Sequence, residues 1–291
     1  MLMTYEGVKF LGEHVQKGFA EVNGASLYYE VAGEGHPLVL NHGGLVDNHL
    51  WDDQFDEFAR HFKVIRYDIR GFGDSGMLKK GMDPYSMERD LYSLLQFLGV
   101  EKTYVLGLSM GGALAIDFTL QYPEMVDALI TVGAGLSGFE MGKPDEELKA
   151  KFAEMDEAFK SGDIARSVEI SLQIWTDGPN RTPQQVDPQV RERVRAMTTR
   201  NFERGDDEEV RPQHIEPPVA VRLSEIHVPT LIIVGDQDVE LILKIADTLE
   251  KEIAGAKKVL IPGTAHHLNM EKPMEFNHMV IEFLDQLSKS R

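Results

Sequence analysis

The run Gly107-Leu108-Ser109-Met110-Gly111 sets a serine between two glycines, after the apolar stretch TYVLGL and before the helical stretch GGALAIDFTLQY. A serine on a tight strand-to-helix turn takes a strained backbone, and Gly two positions before and two after leaves room for the neighbouring chain. The pattern predicts a nucleophile exposed at the top of a sheet; a Gly-rich turn with a solvated serine is the plain alternative. A hydroxyl attacks poorly at neutral pH, so it needs a base and a group that orients the base. His266 and His267 follow the apolar run KKVLIP and a turn at Gly263, which would put an imidazole on a loop leaving a strand. The stretch LIIVGDQD ends another apolar run with two acids, Asp236 and Asp238, either of which could orient the base or serve as a structural helix N-cap.

Acyl transfer also creates an oxyanion, which needs backbone N–H donors worth about 3 kcal/mol each. Met110, directly after the serine, offers one. The loop after His42-Gly43 offers the second, with Gly44 first and Leu45 as its neighbour. Substrate contacts are expected from Gly43, Leu45, Trp175 and Val239, with Met141, Phe152, Leu172 and Ile174 making a largely apolar pocket. Trp51 reads as a packing residue. His14, His36, His42, His49 and His61 crowd the first quarter of the chain, but none has the one-turn spacing of a zinc motif, so no metal is expected. Gly71-Phe72-Gly73 follows a strand without the third glycine of a dinucleotide loop, and no organic cofactor is implied.

Elements must hold these residues in place. Gly18 to Val31 reads as a hairpin turning at Asn23-Gly24. From Pro37 the pattern becomes short continuous apolar runs, PLVLNH, KVIRYD, YVLGLS and ALITVGAG, separated by segments of helical period. Such runs mark strands buried on both faces, and the alternation implies a mostly parallel sheet of about eight strands flanked by helices. In DLYSLLQFLGV, Leu91, Leu94, Leu95 and Leu98 share a stripe and Gly99 stands at the C-terminal stop. After Gly135 about eighty residues read as helices alone, and the acidic run at 205–209 as a solvated turn. The expected organisation is a core of residues 1–136 and 214–291 interrupted by a helical cap, 137–213.

Taken together, His42-Gly43-Gly44, Asp68-Ile69-Arg70-Gly71-Phe72-Gly73-Asp74-Ser75, the Ser109 turn, Gly235-Asp236-Gln237-Asp238 and His266 followed by Leu268 to Pro273 stand in an order that resembles the α/β-hydrolase superfamily. The likeness runs from about residue 18 to the C-terminus, the cap excepted. It implies an α/β-hydrolase fold and a triad of Ser109, Asp238 and His266, since the family pattern separates the histidine from the Glu of E-x-P as His266 is separated from Glu271. Serine at the turn disfavours the family's epoxide hydrolases and dehalogenases, which carry Asp there. Leu108 and His267 stand where its C–C bond hydrolases usually carry Asn and Trp.

With 291 residues, 42% hydrophobic and 27% charged, the chain is of ordinary globular composition. A net charge of −18 would repel phosphate backbones and anionic lipid, so neither nucleic acid nor membrane is an expected partner. The absence of Cys removes disulfides, thiolate metal sites and cysteine nucleophiles. With no apolar signal segment at the N-terminus, the expectation is a soluble cytoplasmic carboxylesterase acting on small to medium, largely apolar esters, a homodimer being open. Enol-lactone hydrolysis, C–C bond hydrolysis and a ligand-binding protein on the same fold are the alternatives.

Overall fold

The computed structural model describes residues 15–139, 146–205, 210–213 and 215–289. His14, Met141 and four residues of the acidic run, 206–209, lie outside them. Strands β1 (Gln16–Val22) and β2 (Ala25–Ala32) form the expected hairpin, with Asn23 at φ 49° and Gly24 at φ 71° making its two-residue turn. Strands β3 (Pro37–Asn41), β4 (Lys63–Tyr67), β5 (Thr103–Leu108), β6 (Val126–Val132), β7 (Thr230–Gly235) and β8 (Lys257–Ile261) complete an eight-stranded sheet. Its order is β1-β2-β4-β3-β5-β6-β7-β8, antiparallel where β2 pairs and parallel elsewhere. Every residue of β5, β6 and β7 is buried, which is why these strands read as unbroken apolar runs.

Alternate side chains of the central strands enter two separate cores. Val39, Ile65 and Val105 join one with Leu91, Leu94 and Leu95 of α2 (Met87–Phe97) and Ile116 and Phe118 of α3 (Met110–Gln121). Leu38, Leu40, Val64 and Leu106 join the other with Phe55 and Phe58, while Phe276, Val280 and Leu284 close it from the C-terminal helix. The remaining helices are α1 (Asp52–Phe58), α4 (Glu146–Lys160), α5 (Ile164–Ser171), α6 (Pro188–Phe202), α7 (Glu240–Glu252), α8 (Leu268–Glu271) and α9 (Pro273–Lys289). Trp51 is fully buried and stacks on Phe276 with ring centroids 6.3 Å apart, the packing role expected of it. Among the described residues no helix is long and apolar enough to cross a membrane.

Between β6 and β7 the described chain holds helices and no strand, α4 to α6. One departure matters. In the segment read as helices alone, α5 ends at Ser171 and the chain continues as a π-helical turn over Leu172–Asp177, stopped by Gly178 at φ 77°. Widened turns of this kind recur near functional sites because they redirect side chains.

Candidate active site

Ser109 stands between β5 and α3 with φ 56° and ψ −116°, a region that costs a non-glycine residue about 1–3 kcal/mol. Its N–H donates to Val132 O at 2.9 Å, tying the strained turn to β6. A Cβ on Gly107 would lie 1.9 Å from Gly111 O, and one on Gly111 would lie 2.3 Å from Asn41 O. Both glycines are therefore required by contact, as the spacing implied.

His266 Nδ1–H donates to Asp238 Oδ2 at 2.8 Å, and both side chains are buried. The second Asp238 oxygen accepts Val239 N–H at 2.8 Å. With its Nδ1 proton engaged, the imidazole presents a lone pair at Nε2, which has no hydrogen-bond partner. His266 and Ser109 line one cavity of about 200 Å³. The pair comes from loops after β7 and β8, so Ser109, Asp238 and His266 meet at the carboxyl ends of parallel strands, where open α/β sheets place their ligands. Asp236 does not cap a helix. Its Oδ1 accepts Gly263 N–H at 2.6 Å and holds the loop that leads to His266.

His42 is buried and structural. Its Nδ1–H donates to Gly43 O at 2.7 Å, and Nε2 accepts Ile69 N–H at 2.9 Å. Burial pulls this imidazole below its ordinary range, which suits a ring that must keep one acceptor nitrogen. Asp68 reinforces the region by accepting Asn48 N–H at 2.8 Å and Asp74 N–H at 2.7 Å. A Cβ on Gly73 would meet the Asp68 carboxyl at 2.2 Å, which accounts for the glycine in that turn.

Gly43, Gly44, Leu45, Met110 and Trp175 all line the Ser109 cavity. Trp175 packs against His266 with ring centroids 4.5 Å apart and planes tilted by 38°, and its carbonyl accepts His266 N–H at 3.1 Å. Phe152 joins the same wall. Val239 and Ile174 line a neighbouring cavity of about 340 Å³ instead, and Leu172 is fully buried in the core. The alternation of faces on the π-helical turn separates Leu172 and Ile174 from Trp175, while Val239 stands at the start of α7. His267 also lines the cavity, its Nδ1 3.1 Å from Thr176 Oγ1, and burial beside His266 pulls its pKa down to about 3. Among the described residues no group of His, Asp or Glu is arranged to hold a metal ion.

Several residues escaped the sequence reading. Gly133, at φ 48°, lies beneath the His266–Asp238 pair. Arg181 spans the insert and the base loop: it donates to Thr176 O at 2.8 Å, Asp177 O at 2.7 Å and Gly263 O at 2.7 Å, and pairs with Glu271 at 2.6 Å. Glu271 in turn accepts Ala265 N–H at 2.9 Å, next to His266. Asn201 of α6 joins the loop at Leu45 O, at 3.3 Å, to Gly73 N–H, at 2.9 Å. Arg181 and Asn201 are polar residues with nothing local in the sequence to distinguish them, and Glu271, although it stands in the motif after His266, gave no sign of its contact with Arg181.

Residues 36–273 match the α/β-hydrolase fold family. The chain belongs to that family. Against the proline iminopeptidase of Lactobacillus helveticus it is 31% identical over 284 residues, 90% of this chain and 95% of the relative. Among solved structures it is similar to Est816, described as an N-acyl homoserine lactone degrading enzyme, at 26% identity and TM-score 0.71, covering 91% of this chain and all of that one. The fold is shared with the enol-lactonase of Burkholderia xenovorans LB400, at 22% identity and TM-score 0.72 over 92% of this chain and all of that one. A hydrolase of this family is thus the function class, and the neighbours differ in the bond they cleave.

Proposed function

We propose that this family member is a serine hydrolase that cleaves small, largely apolar carboxylic esters through an acyl-enzyme on Ser109. The observation that carries the reading is the buried Asp238–His266 pair, which leaves Nε2 unpartnered in the cavity that Ser109 lines. In this mechanism Nε2 takes the Ser109 proton as Oγ attacks the carbonyl carbon. Asp238 holds the Nδ1 proton and offsets the imidazolium charge. The tetrahedral oxyanion collapses as the C–O bond to the alcohol breaks, the imidazolium proton going to the leaving oxygen. Water, deprotonated by the same nitrogen, then releases the acid.

The oxyanion donors are read as the N–H groups of Met110 and Gly44. A trans peptide points its C=O and N–H in opposite directions, so the His42 hydrogen bond to Gly43 O also orients the N–H of Gly44. That argument favours Gly44 over Leu45. The described residues between 137 and 213 act as a cap over the described core on either side of them in sequence, and Phe152, Met155, Trp175 and Val194 are its apolar contribution to the cavity. A substrate with a free proline nitrogen carries a cation, and among the described residues no Asp or Glu lines this cavity to meet it, which favours esters over such peptides.

Hydrolysis of p-nitrophenyl acetate, butyrate and octanoate by the wild type beside Ser109→Ala tests the reading. Turnover strongest on the short chains, and lowered by about 10³-fold or more in the variant, is expected. Equal rates in the two proteins, or no turnover by folded wild type, would remove it. Lactones cleave by the same steps, and the likeness to Est816 makes them the next substrates to try.

A further inference from the structure

The Ser109 cavity is apolar on most of its surface, and besides the nucleophile two buried hydroxyl side chains interrupt it, Ser171 of α5 and Thr198 of α6. Thr198 lines it at 1% exposure, and Thr198 Oγ1 has no hydrogen-bond partner. A threonine inside a helix ordinarily returns its hydroxyl to the carbonyl four residues earlier. Thr119 does so to Ala115 O at 2.7 Å and Thr248 to Lys244 O at 2.9 Å, whereas Thr198 makes no such bond to Val194. A buried hydroxyl left unpaired costs about 1–3 kcal/mol, and valine would fill the same volume without that cost.

We propose that Thr198 forms a polar subsite for an uncharged oxygen of the substrate, a keto, hydroxyl, ether or amide oxygen set apart from the scissile ester. The inference rests on the ester-cleaving reading of Ser109 and narrows its substrate class. An uncharged group follows from the surroundings: among the described residues no Lys, Arg, Asp or Glu lines the cavity, and buried His267 stays neutral and is already engaged with Thr176. A charge there would be desolvated without a partner. Of the remaining wall, Leu45, Phe152, Met155 and Val194 offer an oxygen no partner, and Ser171 of α5 is the one further hydroxyl besides Ser109 among the described lining residues.

The test compares matched p-nitrophenyl esters, methoxyacetate beside butyrate and levulinate beside pentanoate, in wild type, Thr198→Val, Thr198→Ser and Ser109→Ala. Thr198→Val is expected to lower kcat/KM for at least one oxygenated ester about tenfold, chiefly through KM, with its alkyl counterpart unchanged, while Thr198→Ser keeps the wild-type ratio. The Thr198→Val protein should melt no lower than wild type, because an unpaired hydroxyl has been replaced. Ser109-dependent turnover of all four esters with equal losses within each pair, or with none, would overturn the subsite and leave the esterase reading standing. Absence of Ser109-dependent turnover on all four would overturn both.

Discussion

Gly133 shows how much of the site turns on single atoms. A Cβ there would meet His266 Nδ1 at 3.2 Å and Asp238 Oδ2 at 3.3 Å, on a backbone at φ 48° that L side chains rarely adopt. Gly133→Ala should therefore displace the pair that orients the base. The expected result is a kcat lowered by about 10–100-fold with KM little changed. A kcat within twofold of wild type in folded protein would show that the pair moves aside without consequence. The same closeness explains Ser109: its strain is held by Val132 O on one side and by glycines that no side chain could replace on the other. The spacing of the two flanking glycines announced that arrangement in the sequence, because their constraint is local. Gly133 lies more than a hundred residues from both partners, so nothing near it in the chain announced its role.

At the scale of elements, the π-helical turn and the loop after β8 are fastened by Arg181. Its guanidinium is 8% exposed, as is the carboxylate of Glu271, and it also satisfies carbonyls at Thr176, Asp177 and Gly263. Removing one partner of a buried ion pair leaves an uncompensated charge and costs about 3–5 kcal/mol. Arg181→Gln is expected to lose stability of that order in urea unfolding. A loss below about 1 kcal/mol would mark the link as no more than a surface pair. Because the fastening reaches Ala265 N–H through Glu271, the insert and the base-bearing loop are joined next to His266 itself. Strands and helices of the core were legible from their periods; this link was not, since Arg181 reads as one more exposed cation until β8 and α8 are folded against it.

Over the whole molecule the buried charges set the response to pH. Burial, and after it the charge of Glu88, pushes Asp117 up to about 7, and its Oδ1 has no hydrogen-bond partner. Between about pH 4 and 7 the unfolded chain ionises this carboxyl while the folded protein keeps its proton, so the group's contribution falls as pH rises and is constant above. Asp117→Asn should match wild type near pH 4 and exceed it at pH 8, by up to about 4 kcal/mol, since each tenfold change in the carboxyl's proton affinity is worth about 1.4 kcal/mol. Denaturant curves at both pH values check this, and an advantage that does not grow with pH would contradict it. The sequence by itself determined the sheet and the glycine-flanked turn at Ser109, because period, turn chemistry and glycine spacing are written in neighbouring residues, and it left Asp238 over Asp236 and His266 over His267 to the family resemblance. Only the tertiary structure decided that Trp175 faces the base while Val239 and Ile174 line another cavity, that Asp236 braces the base loop, and that Thr198 stands unpaired in the cavity that Ser109 lines. Those outcomes depend on contacts between segments far apart in the chain, where one residue's rotation on a helix decides which cavity it meets.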